Sequence, residues 1–345
     1  MIVVWGNTED APVERVLQAL DERAAPRLHI DSAALGRLRY DLHYGPAPRG
    51  WIELDGQRLP LERLRAWYLR PTELGGTAPA AARSAAAVLM ALAAMGPGCV
   101  VNRPAAGMPN AAKPYQLGLI EAAGIDVPPT LVTSDPDAAR AFVRRYGRVI
   151  YKSISGVRSI VASLQVDDPR LDTLGHGPVQ LQRWVSGTDV RVHVVGRRCF
   201  ATAIASDADD YRYAARSGQA ARLSATRIPP ALGRRLVALA QQLGLRVAGI
   251  DLRHTPDGRW VCFEVNPSPG FSFYEDATGQ PIADAIAGLL LSARVPARQK
   301  AAPGLAGLAA LAGDRCERPI RALHEVPKER HRLAAPVCGS PQPAA

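Results

Sequence analysis

Val247-Ala-Gly-Ile-Asp251-Leu252, followed by Trp260-Val-Cys-Phe-Glu264-Val-Asn266-Pro-Ser-Pro-Gly270, carries more information than any other stretch of this 345-residue chain. Thr255-Pro-Asp-Gly258 between the two runs is a turn signal, so the spacing predicts an antiparallel hairpin. Strict alternation in the second strand assigns Val261, Phe263 and Val265 to one face and Cys262, Glu264 and Asn266 to the other. A four-residue loop sets Asp251 opposite Cys262 and diagonal to Glu264, roughly 7–8 Å away on the same face. Two carboxylates and an amide oxygen then converge, and close carboxylates repel unless a cation lies between them. An all-oxygen set suits a hard ion, Mg²⁺ or Mn²⁺. A half-buried hairpin whose polar face is merely solvated has the same pattern, so the hairpin alone leaves both readings open.

The length suits two domains or one large α/β domain, and a hydrophobic content of 47% supports a real core. There is no uncharged run of 18 apolar residues, so no membrane helix is expected. The opening Met-Ile-Val-Val-Trp-Gly6 has no basic leader and reads as a strand rather than a signal peptide. The five cysteines are scattered, odd in number and without a CxxC pair. That favours a reducing, cytoplasmic setting and disfavours zinc. Net charge is +10, and half of it sits in the last 54 residues, which hold nine Lys/Arg and four Asp/Glu. The remainder is compatible with binding an anionic nucleotide, and neither a nucleic-acid nor a membrane partner is expected.

Residues 2–6 read as a buried strand, 12–23 as an amphipathic helix and 27–30 as the second strand of a βαβ unit. Strands at 51–54 and 58–60 flank Asp55-Gly56, a hairpin signal. A strand at 65–70, an alanine-rich helix at 78–95 and a short strand at 99–102 end this first region. Beyond it, helices are expected at 111–123 and 136–146, and strands at 149–153 and 159–161. Three successive antiparallel strands follow at 178–185, 189–195 and 199–205. A helix at 230–243, the opening hairpin and a helix at 280–291 complete an α/β, or α+β, arrangement. From 292 to 345 the chain is rich in Ala, Pro and Arg and reads as a disordered tail.

A nucleotide enzyme must neutralise phosphates, yet the chain has neither a Walker A motif nor a G-x-G-x-x-G after a strand. It has two lysines in informative contexts. Lys113 opens a helix, in Asn110-Ala-Ala-Lys113-Pro-Tyr-Gln116. Lys152 ends a strand, in Val149-Ile-Tyr-Lys152-Ser153-Ile-Ser-Gly156-Val-Arg158. A strand-borne lysine before a loop of small residues can present a cation and backbone N–H groups to phosphate, although both also fit ordinary surface lysines. Further on, Gln182-Arg-Trp184-Val185-Ser-Gly187-Thr-Asp189-Val-Arg191 places Gln182 with Trp184, and Asp189 with Arg191, by strand alternation.

In this order, Lys113, Lys152, Gln182 to Arg191, Asp251, Glu264 and Asn266 resemble RimK-type ATP-grasp ligases, a carboxylate–amine ligase family that includes ribosomal-peptide maturases. The resemblance covers about residues 102–291. It implies a small open α/β pre-ATP-grasp domain at 1–101 and a two-lobed ATP-grasp region with antiparallel sheets, its lobes near 102–180 and 181–291. It implies that Asp251, Glu264 and Asn266 hold Mg²⁺ or Mn²⁺, two ions in all, against ATP. It further implies that Lys113, Lys152, Ser153, Gly156 and Arg158 meet the phosphates, although the loop here has one glycine where the family is glycine-rich. Gln182, Trp184 and Val185 are similar to the adenine hinge, and Asp189 is a ribose candidate because Arg183 stands where many members have an acid. Arg191 and Lys152 match the catalytic cations. Arg212 and Tyr213, together with Arg70 at a strand end, are candidate substrate contacts.

The implied reaction is amide formation through an acyl phosphate, releasing ADP and phosphate. The acid would be an amino-acid, peptide or protein carboxylate, with an amine as co-substrate. The lack of a G-x-S-x-G or similar nucleophile motif is consistent with this. An ATP-grasp kinase and a non-catalytic nucleotide-binding protein remain alternatives, and homo-oligomerisation is left open.

Overall fold

A computed structural model gives the fold and describes residues 1–45, 48–96, 98–152, 154, 162–205 and 222–294. The chain opens with β1 (Ile2–Gly6), whose five residues are all buried, as a central parallel strand requires. α1 (Ala11–Asp21), started by Pro12, and β2 (Arg27–Ile30) complete a βαβ unit with β1 and β2 parallel. β3 (Arg39–His43), β4 (Arg49–Leu54) and β5 (Gln57–Pro60) form a separate antiparallel sheet in that order. Asp55 and Gly56 turn β4 into β5, both at positive φ, as a two-residue hairpin loop demands. β3 was not foreseen, because it is almost wholly exposed and its apolar alternation is limited to Tyr40 and Leu42. β6 (Ala66–Arg70), α2 (Ala80–Met95) and β7 (Cys99–Val101) complete a parallel sheet ordered β2-β1-β6-β7. Arg103 closes this region by donating to the carbonyls of Ala93 and Ala94 in the last turn of α2, which lack helical partners, and to those of Gly96 and Gly98 just beyond it.

Two short helices, α3 (Met108–Ala111) and α4 (Lys113–Ala122), lead into a second region. Here β8 (Thr130–Thr133), α5 (Pro136–Tyr146), β9 (Val149–Lys152), β10 (Ala162–Leu164) and β11 (Val179–Arg183) follow. The strands make an antiparallel sheet ordered β10-β9-β11-β8. The strand expected at 159–161 falls outside the described residues. A lobe boundary at 180 would cut β11, which belongs wholly to this sheet. Val149, Leu164 and Leu181 pack on Ala139 and Val143 of α5. By alternation, Ile150, Lys152, Gln180 and Gln182 occupy the opposite face.

β12 (Thr188–Val195), β13 (Arg198–Ala205), β14 (Arg222–Thr226), α6 (Pro230–Gln242), β15 (Val247–His254) and β16 (Trp260–Asn266) come next. They build an antiparallel sheet ordered β14-β13-β12-β15-β16. Leu232, Leu236 and Leu239 of α6 and Leu117 and Ile120 of α4 cover one face, against Val192, Ile250 and Leu252. The other face carries the polar residues discussed below.

The helix expected at 280–291 is α8 (Ile282–Leu291), and a short helix not foreseen, α7 (Ser272–Thr278), precedes it, ended by Gly279 at φ 68°. α8 returns to the start of the chain. Ile282, Ile286 and Leu290 share one core with Ile2 and Val4 of β1 and Val13, Val16 and Leu20 of α1. Arg15 pairs with Asp276 and Arg23 with Asp284 along the same contact. The same core takes in Val195, Phe200 and Val247, so the expected boundary at 101 does not separate two cores. Residues 1–299 group as one compact unit.

Candidate active site

The hairpin of β15 and β16 forms as expected, but in a different register. Asp251 pairs directly with Glu264, Gly249 with Asn266 and Leu252 with Cys262, and the register shifts between Asp251 and Leu252. Cys262 is therefore not opposite Asp251, and Glu264 is not its diagonal neighbour. Phe263 is the extra residue of a β-bulge. The bulge breaks the alternation, so Cys262 and Val265 both turn into the core beside Ile250 and Leu252. Cys262, which regular alternation puts beside Glu264, thereby joins Val265 in that core. Burial also pushes the Cys262 thiol well above its usual range. Glu264 and Asn266 stay on the face of Asp251, now opposite or adjacent to it in the pairing.

β16 is an edge strand, and side chains hold its outer rim. Gln116 donates to the Val265 carbonyl at 2.8 Å and accepts from its N–H at 2.9 Å. The Cys262 N–H donates to the Asp126 carbonyl at 2.8 Å. Asn110, in the amide orientation that satisfies its neighbours, donates to Glu264 Oε1 at 3.1 Å and to the Val265 carbonyl. Asn266 Oδ1 accepts from the Ser268 N–H at 3.0 Å.

Arg191 lies opposite Asp251 on β12 and donates to its carboxylate from Nη1 at 2.7 Å. It is only 5% exposed, so it is no ordinary surface arginine. Its place depends on Gly249, because a Cβ there would lie 2.0 Å from Arg191 Nη2. Its Nε stands 3.5 Å from His193 Nε2, and Tyr274 meets the His193 ring edge-on with centroids 4.9 Å apart. Burial, and then the Arg191 charge, hold the His193 imidazole well below its usual pKa. It therefore stays neutral and can accept from the guanidinium.

Across the cleft, Lys152 Nζ sits 5.5 Å from the centre of the Phe263 ring, which joins the β9 sheet to the bulge. The Arg253 guanidinium lies 5.3 Å from that ring and 5.7 Å from Trp184. Arg253 holds Asp189 through both carboxylate oxygens, at 2.8 and 2.9 Å, and donates to the Val185 carbonyl at 2.7 Å. Lys152, Trp184, Val185 and Asp189 are thus brought together by Phe263 and Arg253, neither of which the sequence singled out as a site residue. Arg148 stacks 4.0 Å over Trp184, and a cavity of about 430 Å³ borders Trp184, Val185 and Val261. Gln182 is fully buried and donates to Thr130 Oγ1, while its Oε1 meets no donor among the described residues. Lys113 begins α4, with its backbone N–H 3.4 Å from the Ile154 carbonyl, beside the segment that follows Lys152.

Arg70, at the end of β6, is held by protein groups. Its Nε and Nη2 bind Asp10 at 2.5 and 3.2 Å, and its Nη1 binds Ser268 Oγ and the Pro269 carbonyl, each at 3.0 Å. Ser153, Gly156, Arg158, Arg212 and Tyr213 lie outside the described residues. Among the described residues no group of three His, Cys, Asp or Glu could hold a metal, and Asp251 and Glu264 share their sheet face with the amide of Asn266. Three oxygen donors on one face suit a hard divalent ion. Nearby cations and the buried, unpartnered Gln182 Oε1 suit an anionic ligand that also carries hydrogen-bond donors, such as ATP.

A model of the RimK-like ATP-grasp domain matches residues 110–290. A protein of Cellvibrio japonicus named "Probable alpha-L-glutamate ligase" is 37% identical over 101 residues, 29% of this chain and 33% of its own length. One of the same name from Photobacterium profundum is 29% identical over 182 residues, 49% of this chain and 60% of its own. The chain therefore spans less than two thirds of these relatives. The ATP-grasp ligase PsnB, solved with a phosphomimetic variant of its minimal precursor, Mg and ADP, superposes with a TM-score of 0.71. It is 27% identical, covering 84% of this chain and 97% of PsnB. A RiPP-associated ATP-grasp ligase of Chryseobacterium gregarium shares the fold at a TM-score of 0.73, with 19% identity over 86% of this chain and 99% of its own.

Proposed function

The chain belongs to the RimK-like ATP-grasp family, and on that premise we propose that it is an ATP-dependent carboxylate–amine ligase acting on a peptide. The observation that carries this reading is the bulged register, which puts Asp251, Glu264 and Asn266 on one face beside the buried Arg191. Asp251, Glu264 and Asn266 would hold one or two Mg²⁺ or Mn²⁺ ions. A divalent ion bound there would offset negative charge on the phosphate oxygens of ATP. Lys113 and Lys152 supply cations for the phosphates, and Trp184, Val185 and Phe263 an apolar wall for the base. Asp189, held through both carboxylate oxygens by Arg253, is the carboxylate placed to meet the ribose hydroxyls.

In the proposed reaction a substrate carboxylate oxygen attacks the γ-phosphorus, and the bond to ADP breaks. Arg191 and Lys152 offset the charge that develops in that transfer. An amine then attacks the acyl carbon, phosphate departs with the C–O electron pair, and the amine loses a proton to give the amide. No protein nucleophile is needed. A peptide is favoured over a free amino acid because PsnB, alike over nearly its whole length, is known in complex with a minimal precursor.

The test is to incubate the protein with Mg-ATP and peptide pools, scoring ADP against AMP and the product masses. ADP release with a product lighter by one water is expected, and release of AMP would sink the acyl-phosphate route. Glu264→Ala and Asn266→Ala should each lose turnover by about 10²-fold or more while staying folded. Wild-type ATP consumption in both variants would remove the metal assignment.

A further inference from the structure

Pro267-Ser-Pro-Gly270 leaves β16 immediately after Asn266, and two residues of the N-terminal region hold it. Asn102, just past β7, uses its side chain four times. Its Oδ1 accepts from the Arg246 and Val247 N–H groups at 2.7 and 3.1 Å. Its Nδ2 donates to the Val247 and Pro267 carbonyls, each at 2.6 Å. Four is all that a carboxamide readily makes, so this side chain is saturated. It joins the first residues of β15 to the residue after Asn266, across the open end of the hairpin that carries all three oxygen donors.

Arg70, at the end of β6, is the second hold. Fixed by Asp10 on one edge, it grips Ser268 Oγ and the Pro269 carbonyl with the other. Ser268 in turn donates its N–H to Asn266 Oδ1. A chain of contacts therefore runs Asp10, Arg70, Ser268, Asn266, from the parallel sheet to the amide of the oxygen trio. Nothing in the proposed chemistry requires Asn102 or Arg70 to touch nucleotide or substrate.

We propose that Asn102 and Arg70 are positioning residues through which the N-terminal parallel sheet sets the metal affinity of the ATP site. Resting on the proposed function, this adds a source of control outside residues 110–290, the stretch matched by the ATP-grasp domain. If the loop were loosened, Asn266 would have to be ordered at the moment an ion binds, and affinity would fall. Partners that orient metal ligands elsewhere typically account for about 10–100-fold in affinity.

The experiment titrates Mn²⁺ into the full chain with saturating ADP, followed by electron paramagnetic resonance, and separately measures ADP binding without metal by calorimetry. In Arg70→Gln and Asn102→Ala the Mn²⁺ dissociation constant should rise about tenfold, with metal-free ADP affinity within about twofold of wild type. Ser268→Ala removes one hydroxyl and should raise it in the same direction. Combined with Arg70→Gln it should add little, because the two share one contact. Should Asn102→Ala fail to fold, the Arg70 and Ser268 variants decide alone. Unchanged Mn²⁺ affinity, or a parallel loss of metal-free ADP binding, would overturn the proposal. Failure of the wild-type chain to bind ADP would instead overturn the nucleotide reading, and this proposal with it.

Discussion

Gly249 and His193 show how strongly single positions bear on the site. A Cβ at Gly249 would enter the space of Arg191 Nη2 and also lie 2.7 Å from Pro269 Cβ. Gly249→Ala should displace the guanidinium from Asp251, lowering kcat by about 10²-fold with a smaller change in the KM for ATP. Steady-state kinetics at varied ATP would check this. His193 is fully buried, and burial together with Arg191 holds it neutral in the fold. The unfolded chain takes up a proton on this residue below about pH 6.5, and the folded one does so only at lower pH. The unfolded state then binds more protons, so acidification below pH 6.5 lowers stability. Melting temperatures at pH 7.5 and 5.5 should show a smaller drop for His193→Gln than for wild type. The sequence placed His193 in a strand but said nothing of its link to Arg191, since that contact needs a measured distance across one strand face.

The β15–β16 hairpin was foreseen as a hairpin, and Asp251, Glu264 and Asn266 share one of its faces as expected. Its pairing was not foreseen. Turn chemistry and alternation both favour the regular ladder, whereas the bulge turns Cys262 into the core beside Val265. Edge protection was equally hidden, because Gln116 lies 149 residues from Val265 in the chain. Gln116→Ala leaves the buried Val265 N–H without its partner, at about 1–3 kcal/mol, while the carbonyl keeps the Asn110 donor. A denaturant titration should show that loss, and a change under about 0.5 kcal/mol would mean that other groups satisfy the edge. Similarly, the lysine contexts pointed to a phosphate cleft, whereas Phe263 and Arg253, which close the cleft at its other end, looked like ordinary strand residues.

The order of elements puts α8 on the first strand and helix of the chain. α8 had the apolar character of a core helix in the sequence, but nothing there identified β1 and α1 as its partners. Ile286 is fully buried in that shared core. Ile286→Ala should cost about 2–5 kcal/mol. The N-terminal parallel sheet should lose hydrogen-exchange protection together with α8, since both sit in one cluster. Retained protection of β1 in that variant would show the two regions to be independent.

Local chemistry alone was enough for the βαβ start, the Asp55-Gly56 turn, the lysine-bearing elements and the Asp251, Glu264, Asn266 set. Each is written in residue type and short spacing, which act over a few residues. The bulge, the burial of Arg191, the diversion of Arg70 to Ser268 and the union of α8 with β1 depend on which surfaces exclude water together. That is a property of contacts between distant segments, so it came into being only when the sheets packed.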